Sequence, residues 1–443
     1  MMPTTAHGDS RLSFWLRVRE YAVPPPVIET ATARRLSGDW GGACAAAGVD
    51  TDLDLRLLAR RGGRELAAVV RSDLRRLAPD LLRWHLPRIG PDGLLRPGLT
   101  IPLARYATDE GPVQLVVRTA PAWADAGQRL SLALWGGPDG DRCPHPHPRP
   151  SRRFRLDLHR HLWDARRAHE LRSRAGDPAT RLPSPVTPFV PSGLACAVGR
   201  WSDEAGFLLG AEGRSSGAVA VRLGGGRRLL LEVAGGRIAS VSRGDGGSGT
   251  PVLPDAATWV LPDLELLRAG AIDAGRLHPL VAEALAPGSA GPAPTPGLPG
   301  GPRIVECRGA RHRIGFVDGA LTPLDHDPAE LRREELLVAF GGPPLPCLRV
   351  IDVAHRRPDS LTDVRERLNH GDVAGALAVV EGLLGPDAVL RDGALRDALR
   401  DAADRRVTYG LYRAGLTRPG RSGPPRTEPR RTRGRGRNAT ASS

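Results

Sequence analysis

Apolar positions along this chain change period several times, and each change predicts a different kind of element. From about Ile28 to Gly48 and from Asp52 to Leu86 they recur at helical spacing; in the second stretch Leu55, Leu58, Leu66, Val69, Val70, Leu74, Leu77, Leu81 and Leu82 build one apolar face. Leu99 to Ala104, Val113 to Arg118 and Leu130 to Trp135 then read as strands, partly alternating and divided by Gly, Pro and Asp. Helices followed by strands predict an α+β unit, not a doubly wound one.

Further on, Phe207 to Leu209, Ala218 to Leu223, Leu229 to Val233 and Ile238 to Val241 read as extended. Gly224-Gly225-Gly226 and Gly235-Gly236 separate the last three, and the pattern predicts a β-meander closed by a helical segment over Leu264 to Ala286. A third β-hairpin, Ile304 to Cys307 with Arg313 to Val317, introduces helices over Pro328 to Phe340, Leu348 to Arg356, Leu361 to His370, Val373 to Leu384 and Ala394 to Ala414. Asp327-Pro328 supplies the first of these with an N-cap and a proline at its first position.

Two stretches, 177–192 and 287–302, hold too few apolar side chains to offset the entropy of ordering them, so they read as Pro-rich linkers. The expected organisation is α+β multidomain. A flexible lead over 1–27 precedes an α+β N-terminal body over 28–176, a β-rich central body over 193–286 and an α-rich C-terminal body, introduced by a β-hairpin, over 303–416. An Arg-rich tail, expected to be disordered, occupies 417–443.

Within this pattern, Gly38-Asp39-Trp40-Gly41-Gly42-Ala43-Cys44-Ala45 and Gly371-Asp372-Val373-Ala374-Gly375-Ala376-Leu377-Ala378 share G-D-x-x-G-A-x-A. The motif resembles the turn and second-helix start of a tetratricopeptide-type hairpin, where Gly ends one helix, Asp caps the next and small residues allow close packing. The resemblance covers about a dozen residues at each place. The copies lie far apart, and it implies two isolated helical hairpins, since solenoids stack about three or more adjacent repeats.

Composition narrows the chemistry. The 443 residues contain 54 Gly and 42 Pro, and all 63 basic residues are arginine, for a formal charge of +14. Without a primary side-chain amine, a lysine-bearing phosphate loop, a pyridoxal-phosphate Schiff base, a kinase of the usual kind and a Ser-x-x-Lys nucleophile are excluded. Cys44, Cys143, Cys196, Cys307 and Cys347 are scattered without a C-x-x-C pair. No apolar run reaches membrane-spanning length and no signal-peptide pattern opens the chain, so a reducing cytoplasm and no membrane association are the expectation.

The densest group of potential metal ligands is Cys143, His145 and His147 followed by Asp157, His159, His161 and His169. With Phe154 to His161 as a strand, Asp157, His159 and His161 share one face, as a zinc-dependent hydrolase would need. Asp325-His326-Asp327 is a second ligand-like group, although N-capping accounts for Asp327. Gly213-Arg214-Ser215-Ser216-Gly217 matches G-x-S-x-G, which works only on a turn from strand into helix. In the tail, eight arginines face one acid, and Arg430, Arg431, Arg433, Arg435 and Arg437 are candidate nucleic-acid contacts. With no assembled active site, the leading expectation is a non-enzymatic scaffold with an unidentified protein partner. A metal-dependent hydrolase and a nucleic-acid-associated protein are the alternatives.

Overall fold

The structure is a computed structural model, and it describes residues 8–109, 111–136, 145–175, 185–244, 246–288, 303–307, 309–317, 320–340, 345–346, 348, 361–384, 390 and 392–417. The fold is mixed α+β, as the sequence predicts. In chain order the first helices are α1 (Gly8–Ala22), α2 (Pro25–Leu36) and α3 (Trp40–Ala46); after β1 (Val49–Thr51) come α4 (Leu55–Arg61), α5 (Arg64–Arg76) and α6 (Pro79–His85). Strands β2 (Arg88–Ile89), β3 (Leu94–Leu95), β4 (Thr100–Tyr106), β5 (Val113–Thr119) and β6 (Leu130–Trp135) follow. β4, β5 and β6 form an antiparallel meander, and β1 adds to it parallel to β6, with Val49 opposite Leu130.

Part of the expected flexible lead is ordered. Phe14, Trp15, Val18 and Ala22 fall on one side of α1 and are buried in the largest apolar core together with Val70, Leu74, Leu81 and Leu115. Pro24, Pro25 and Pro26 do not mark a loose leader. They break the chain between two helices, and Pro25 opens α2 at a position where no amide proton is needed.

The central region holds α7 (Leu171–Ala175), α8 (Trp201–Ala211), the meander β7 (Gly217–Gly224), β8 (Arg227–Ala234) and β9 (Arg237–Arg243), then α9 (Asp255–Thr258), α10 (Pro262–Arg268) and α11 (Pro279–Leu285). Gly235 and Gly236 both adopt left-handed φ, as a two-residue hairpin with native strand twist requires. Phe207 to Leu209, read as extended, lie inside α8, where Trp201, Ala205, Leu208 and Leu209 recur at helical spacing against Val219, Val221, Leu231 and Val233. Three apolar residues are too short a run to distinguish the two periods.

Leu261, Leu266, Ile272, Leu277 and Val281 pack into the core of the N-terminal helices and sheet, not into that of the β7–β9 meander. His278 joins the two regions: its Nδ1 accepts from Leu280 N at the start of α11, and its Nε2 meets Asp80 Oδ2 at 2.9 Å.

The C-terminal part contains the antiparallel sheet β10 (Arg303–Cys307), β11 (Ala310–Val317) and β12 (Ala320–Pro323), followed by α12 (Pro328–Ala339), α13 (Leu361–His370), α14 (Val373–Leu384) and α15 (Ala394–Arg413). The predicted helix at Leu348 to Arg356 lies almost wholly outside the described residues, as do half of the first Pro-rich stretch, most of the second and the tail beyond Thr417. Val364, Leu368, Ala376, Val380 and Leu395 make a small core of their own.

Both G-D-x-x-G segments join two helices, and their turns are built alike. Gly38 and Gly371 take left-handed φ of +82° and +89°. The Asp39 and Asp372 amides donate to the carbonyls of Arg34 and Arg367 (2.9 and 2.8 Å), and each carboxylate then accepts from that same arginine (3.2 and 2.9 Å). Each carboxylate also caps the next helix, accepting from Gly42 N at 2.8 Å or Gly375 N at 2.9 Å. A β-carbon at Gly42 or Gly375 would fall 2.1 or 2.0 Å from its capping carboxylate, so the second glycine of the motif makes room for the cap.

Arg83 binds the second hairpin to the N-terminal body. It is buried, and it donates to Ala22 O (2.9 Å), Gln128 O (2.7 Å) and His370 O (2.5 Å), joining the ends of α1 and α13 to the loop before β6. Around it, Arg17 pairs with Glu366 at 2.5 Å and Tyr21 stacks on His370. At the other end, Tyr409 Oη donates to Asp50 Oδ2 at 2.8 Å, Arg129 forks onto Asp50 at 2.9 and 2.6 Å, and Tyr412 meets Trp123 edge-on.

Candidate functional site

The sequence-flagged residues Asp157, His159 and His161 do not lie along a strand. Residues 156–158 form a turn, and Arg160–Leu162 is a single 3-10 turn, so the alternation that would put three ligands on one sheet face is absent. Asp157 is held by Arg155 through contacts of 2.8 to 3.1 Å. His159 is buried with both ring nitrogens facing acceptors, Nδ1 toward Arg155 O at 2.9 Å and Nε2 toward Glu204 Oε2 at 3.1 Å. The His161 ring stands 5.7 Å from that of His159, also buried, and its Nδ1 has no hydrogen-bond partner.

His159 and His161 stand beside a buried carboxylate that the sequence did not single out. Glu204, in the first turn of α8, receives Arg174 Nε and Nη2 at 2.8 Å each and Arg200 Nη2 at 3.0 Å besides His159. Burial by itself raises the Glu204 carboxyl, but hydrogen bonds and charge from His159 and Arg174 outweigh it and hold the group far below the usual carboxylate range. His161 is pushed well below its ordinary value by burial and by the neighbouring His159, Arg174 and Arg200. The cluster is an ion network centred on Glu204 that joins the Arg155–Ala175 segment to α8. Zinc binding would require Asp157 to leave Arg155 and His159 to leave Glu204, and among the described residues no group of three or more His, Cys, Asp or Glu is arranged to hold a metal. No sequence signal marks Glu204, since its partners lie up to 45 residues away.

The other flagged residues are dispersed. Cys143 lies outside the described residues. His145 is buried with Nε2 3.1 Å from Thr119 O, while His147 is exposed and His169 faces Arg166 O. Asp327 caps α12 as expected, its carboxylate accepting from Ala329 N at 3.1 Å; Asp325 pairs with Arg313 at 2.8 Å, and His326 stacks on His312. Ser215 is exposed on the turn from α8 into β7, the reverse of the strand-to-helix turn that a hydrolase nucleophile needs. Arg430, Arg431, Arg433, Arg435 and Arg437 lie outside the described residues.

A second buried polar group sits where α1, α6 and α10 meet. Asp263, fully buried in the first turn of α10, accepts from Trp84 Nε1 at 2.8 Å, with His85 Nε2 at 3.6 Å and Arg19 at 3.7 Å. Burial raises this carboxyl and the His85, Trp84 and Arg19 contacts more than reverse it, leaving the value lowered. Beside it is a hole of roughly 80 Å³ walled by Phe14, Trp15, Trp84, Phe154, Leu156 and Trp259. Trp15 and Trp84 are buried anchors with ring centroids 5.9 Å apart.

Large apolar side chains remain exposed chiefly in the C-terminal part. They include Leu336, Leu337 and Phe340 at the end of α12, Val373 and Leu377 on α14, and Val407 and Leu411 on α15, with Phe340 87% exposed. Among the described residues no helix is long and apolar enough to cross a membrane. Comparison of the chain with protein-family models, curated proteins and solved structures finds no match.

Proposed function

We propose that this chain is a non-enzymatic interaction protein whose C-terminal helices receive a protein partner. The observation that carries this reading is the distribution of exposed apolar side chains. Nine of the thirteen among the described residues lie beyond residue 303, seven of them on or at the end of α12, α14 and α15, whereas among the N-terminal helices only Leu36 of α2 and Val69 of α5 are exposed. Val373 with Leu377 and Val407 with Leu411 are four residues apart, so each pair presents one helix face, the arrangement used to pack a partner's apolar helix. The buried charged clusters around Glu204 and Asp263 brace elements against one another, which is the work of a scaffold.

The test is site-specific photo-crosslinking in the source cells, with a photoreactive residue placed at Phe340 or Leu377 and, as a control, at exposed Val69 on α5. A discrete protein adduct at the two C-terminal positions and none at Val69 is expected. Equal adducts at all three positions, or none at any, would overturn the reading.

A second reading, association with nucleic acid, draws on the β7–β9 meander as well as on the tail. Arg222 on β7 stands directly opposite Arg228 on β8, and its guanidinium is lowered by burial and by the nearby Arg153 and Arg228 charges. A groove of roughly 730 Å³ at this edge is lined by Phe189, Arg227 and Arg243. This reading predicts RNA affinity that falls steeply with salt and drops further in an Arg227→Ser, Arg243→Ser variant; affinity unchanged by salt would sink it.

A further inference from the structure

The β7–β9 meander is closed on one side and open on the other. At its β7 edge, Ala220 N donates to Pro251 O and Leu253 N donates to Ala220 O, both at 2.8 Å, and no residue of β7 is exposed. At the β9 edge no further strand is paired among the described residues, and Arg237, Ala239, Ser240, Ser242 and Arg243 are exposed.

Register decides which groups that edge offers. Gly244 N donates to Arg228 O at 3.2 Å, and Ser242 and Ser240, at steps of two from it, stand opposite Leu230 and Glu232. Amides along an antiparallel strand turn to alternate sides, so the N–H and C=O groups of Val241 and Arg243 face away from β8. Donors and acceptors in that order form half of a ladder, which another extended chain completes.

Charge selects the chain. From Gly217 to Arg243 the meander carries Arg222, Arg227, Arg228, Arg237 and Arg243 against a single acid, Glu232. Neither Arg237 nor Arg243 meets a carboxylate among the described residues. Edge charges ordinarily keep copies of one protein apart. Pairing of β9 with a second β9 about Ser240 would set Arg237 against Arg243 at each end, and like charges directly opposite are destabilising. The same two arginines match a strand that carries an acid at each end. Single-stranded nucleic acid fits less well: its phosphates accept but do not donate, which leaves the outward carbonyls of Val241 and Arg243 unmatched. The three strands also contain no aromatic side chain on which a base stacks.

We propose that the free edge of β9 is a docking site for an acidic, extended segment of a partner protein, which adds a fourth strand to the meander and pairs its carboxylates with Arg237 and Arg243. This site does not rest on the exposed C-terminal faces, and its test reads it separately from theirs.

The experiment is fluorescence anisotropy of the full chain with a labelled heptapeptide that has glutamate at both ends and alternating Val and Thr between them. A glutamine-ended twin removes the charge. A second twin, N-methylated on alternate amides, keeps the charge and loses the donors that a ladder needs. Arg237→Ser with Arg243→Ser changes only exposed side chains, and circular dichroism checks that this variant is folded. One-to-one binding of the glutamate-ended peptide is expected, at least tenfold weaker for either twin and at least tenfold weaker in the double variant. Hydrogen exchange should show the Val241 and Arg243 amides gaining protection when the peptide is bound. Binding that N-methylation or the double variant leaves unchanged would mean adsorption to arginine elsewhere, the tail included, and would overturn the proposal. So would the lack of saturable binding, or an octa-uridylate that binds more tightly than the peptide and is lost in the same variant.

Discussion

The hairpin of α2 and α3 and the hairpin of α13 and α14 share a turn, a cap, an arginine clamp and a spacing glycine, yet they stand in different surroundings. In the first, Ala31, Ala43 and Cys44 are buried and Trp40 packs against the main core, so the pair is enclosed by α6 and β1. In the second, Ala376 and Val380 close a small core while Val373 and Leu377 are 37% and 42% exposed. The motif therefore specifies the turn and leaves to the rest of the chain what covers the faces. Between the two stands Arg83, which ties the second hairpin to a body that already encloses the first.

The largest effect should come from cutting that tie. Arg83→Met strands the carbonyls of Ala22, Gln128 and His370, each of which has a charged donor now, and a loss of at least about 3 kcal/mol is expected in urea unfolding. Hydrogen exchange should place the loss unevenly, with α13 and α14 exposed and α2 and α3 still protected. Uniform exposure of both hairpins would show that they unfold as one unit.

Acid should act in the same direction and less strongly. Burial and the Arg88 and Arg83 charges push His370 down to about 3, with Asp92 O as its hydrogen-bond partner and Glu366 Oε2 3.8 Å away. A lowered folded value means that the unfolded chain binds the proton first. The stability is present above about pH 6.5 and is lost as pH falls from there toward 3, by about 2 kcal/mol at pH 5. His370→Gln should flatten that part of the slope. His145 and His161, also lowered, lie in the body around the first hairpin and will keep the remainder of the slope intact.

At the third level the two glycines can be compared directly. Gly42→Ala and Gly375→Ala each drive a β-carbon into the capping carboxylate and should cost about 1–2 kcal/mol, the usual worth of an N-cap. The expected difference is in the readout: Gly42→Ala lowers the global midpoint, while Gly375→Ala shows mainly as faster exchange in α14. Equal shifts of one cooperative transition would remove the distinction.

Much of this framework was legible in the sequence because it is written in local signals. The three strands from Leu99 to Trp135, the meander punctuated by glycines and the helices from Leu361 to Leu384 follow from periodicity and turn residues within a few positions of one another. The likeness of the two G-D segments was visible too, though not its cause, because Arg34 and Arg367 lie before the shared motif and act only once the helix brings them back over it. What periodicity cannot carry is long-range pairing. Glu204 meets His159 and Arg174, Asp263 meets Trp84, and Arg83 meets His370 across as many as 287 positions. The Asp157, His159, His161 reading failed to locate its own neighbours for the same reason: it assumed a strand, and Leu158, Leu162 and Trp163 packed the segment as turns.

The smallest effect on stability should accompany the sharpest effect on association. Val373→Ser with Leu377→Ser alters only side chains that are already partly in water, so the change in folding free energy should stay within about 0.5 kcal/mol. If the outer face of the second hairpin is where a partner lies, that double variant loses the photo-adduct at Phe340 while its unfolding curve overlays the parent's. A loss above about 1 kcal/mol would mean instead that this face is covered within the folded chain. The two hairpins would then be enclosed alike, and the exposed C-terminal side chains would no longer argue for a partner.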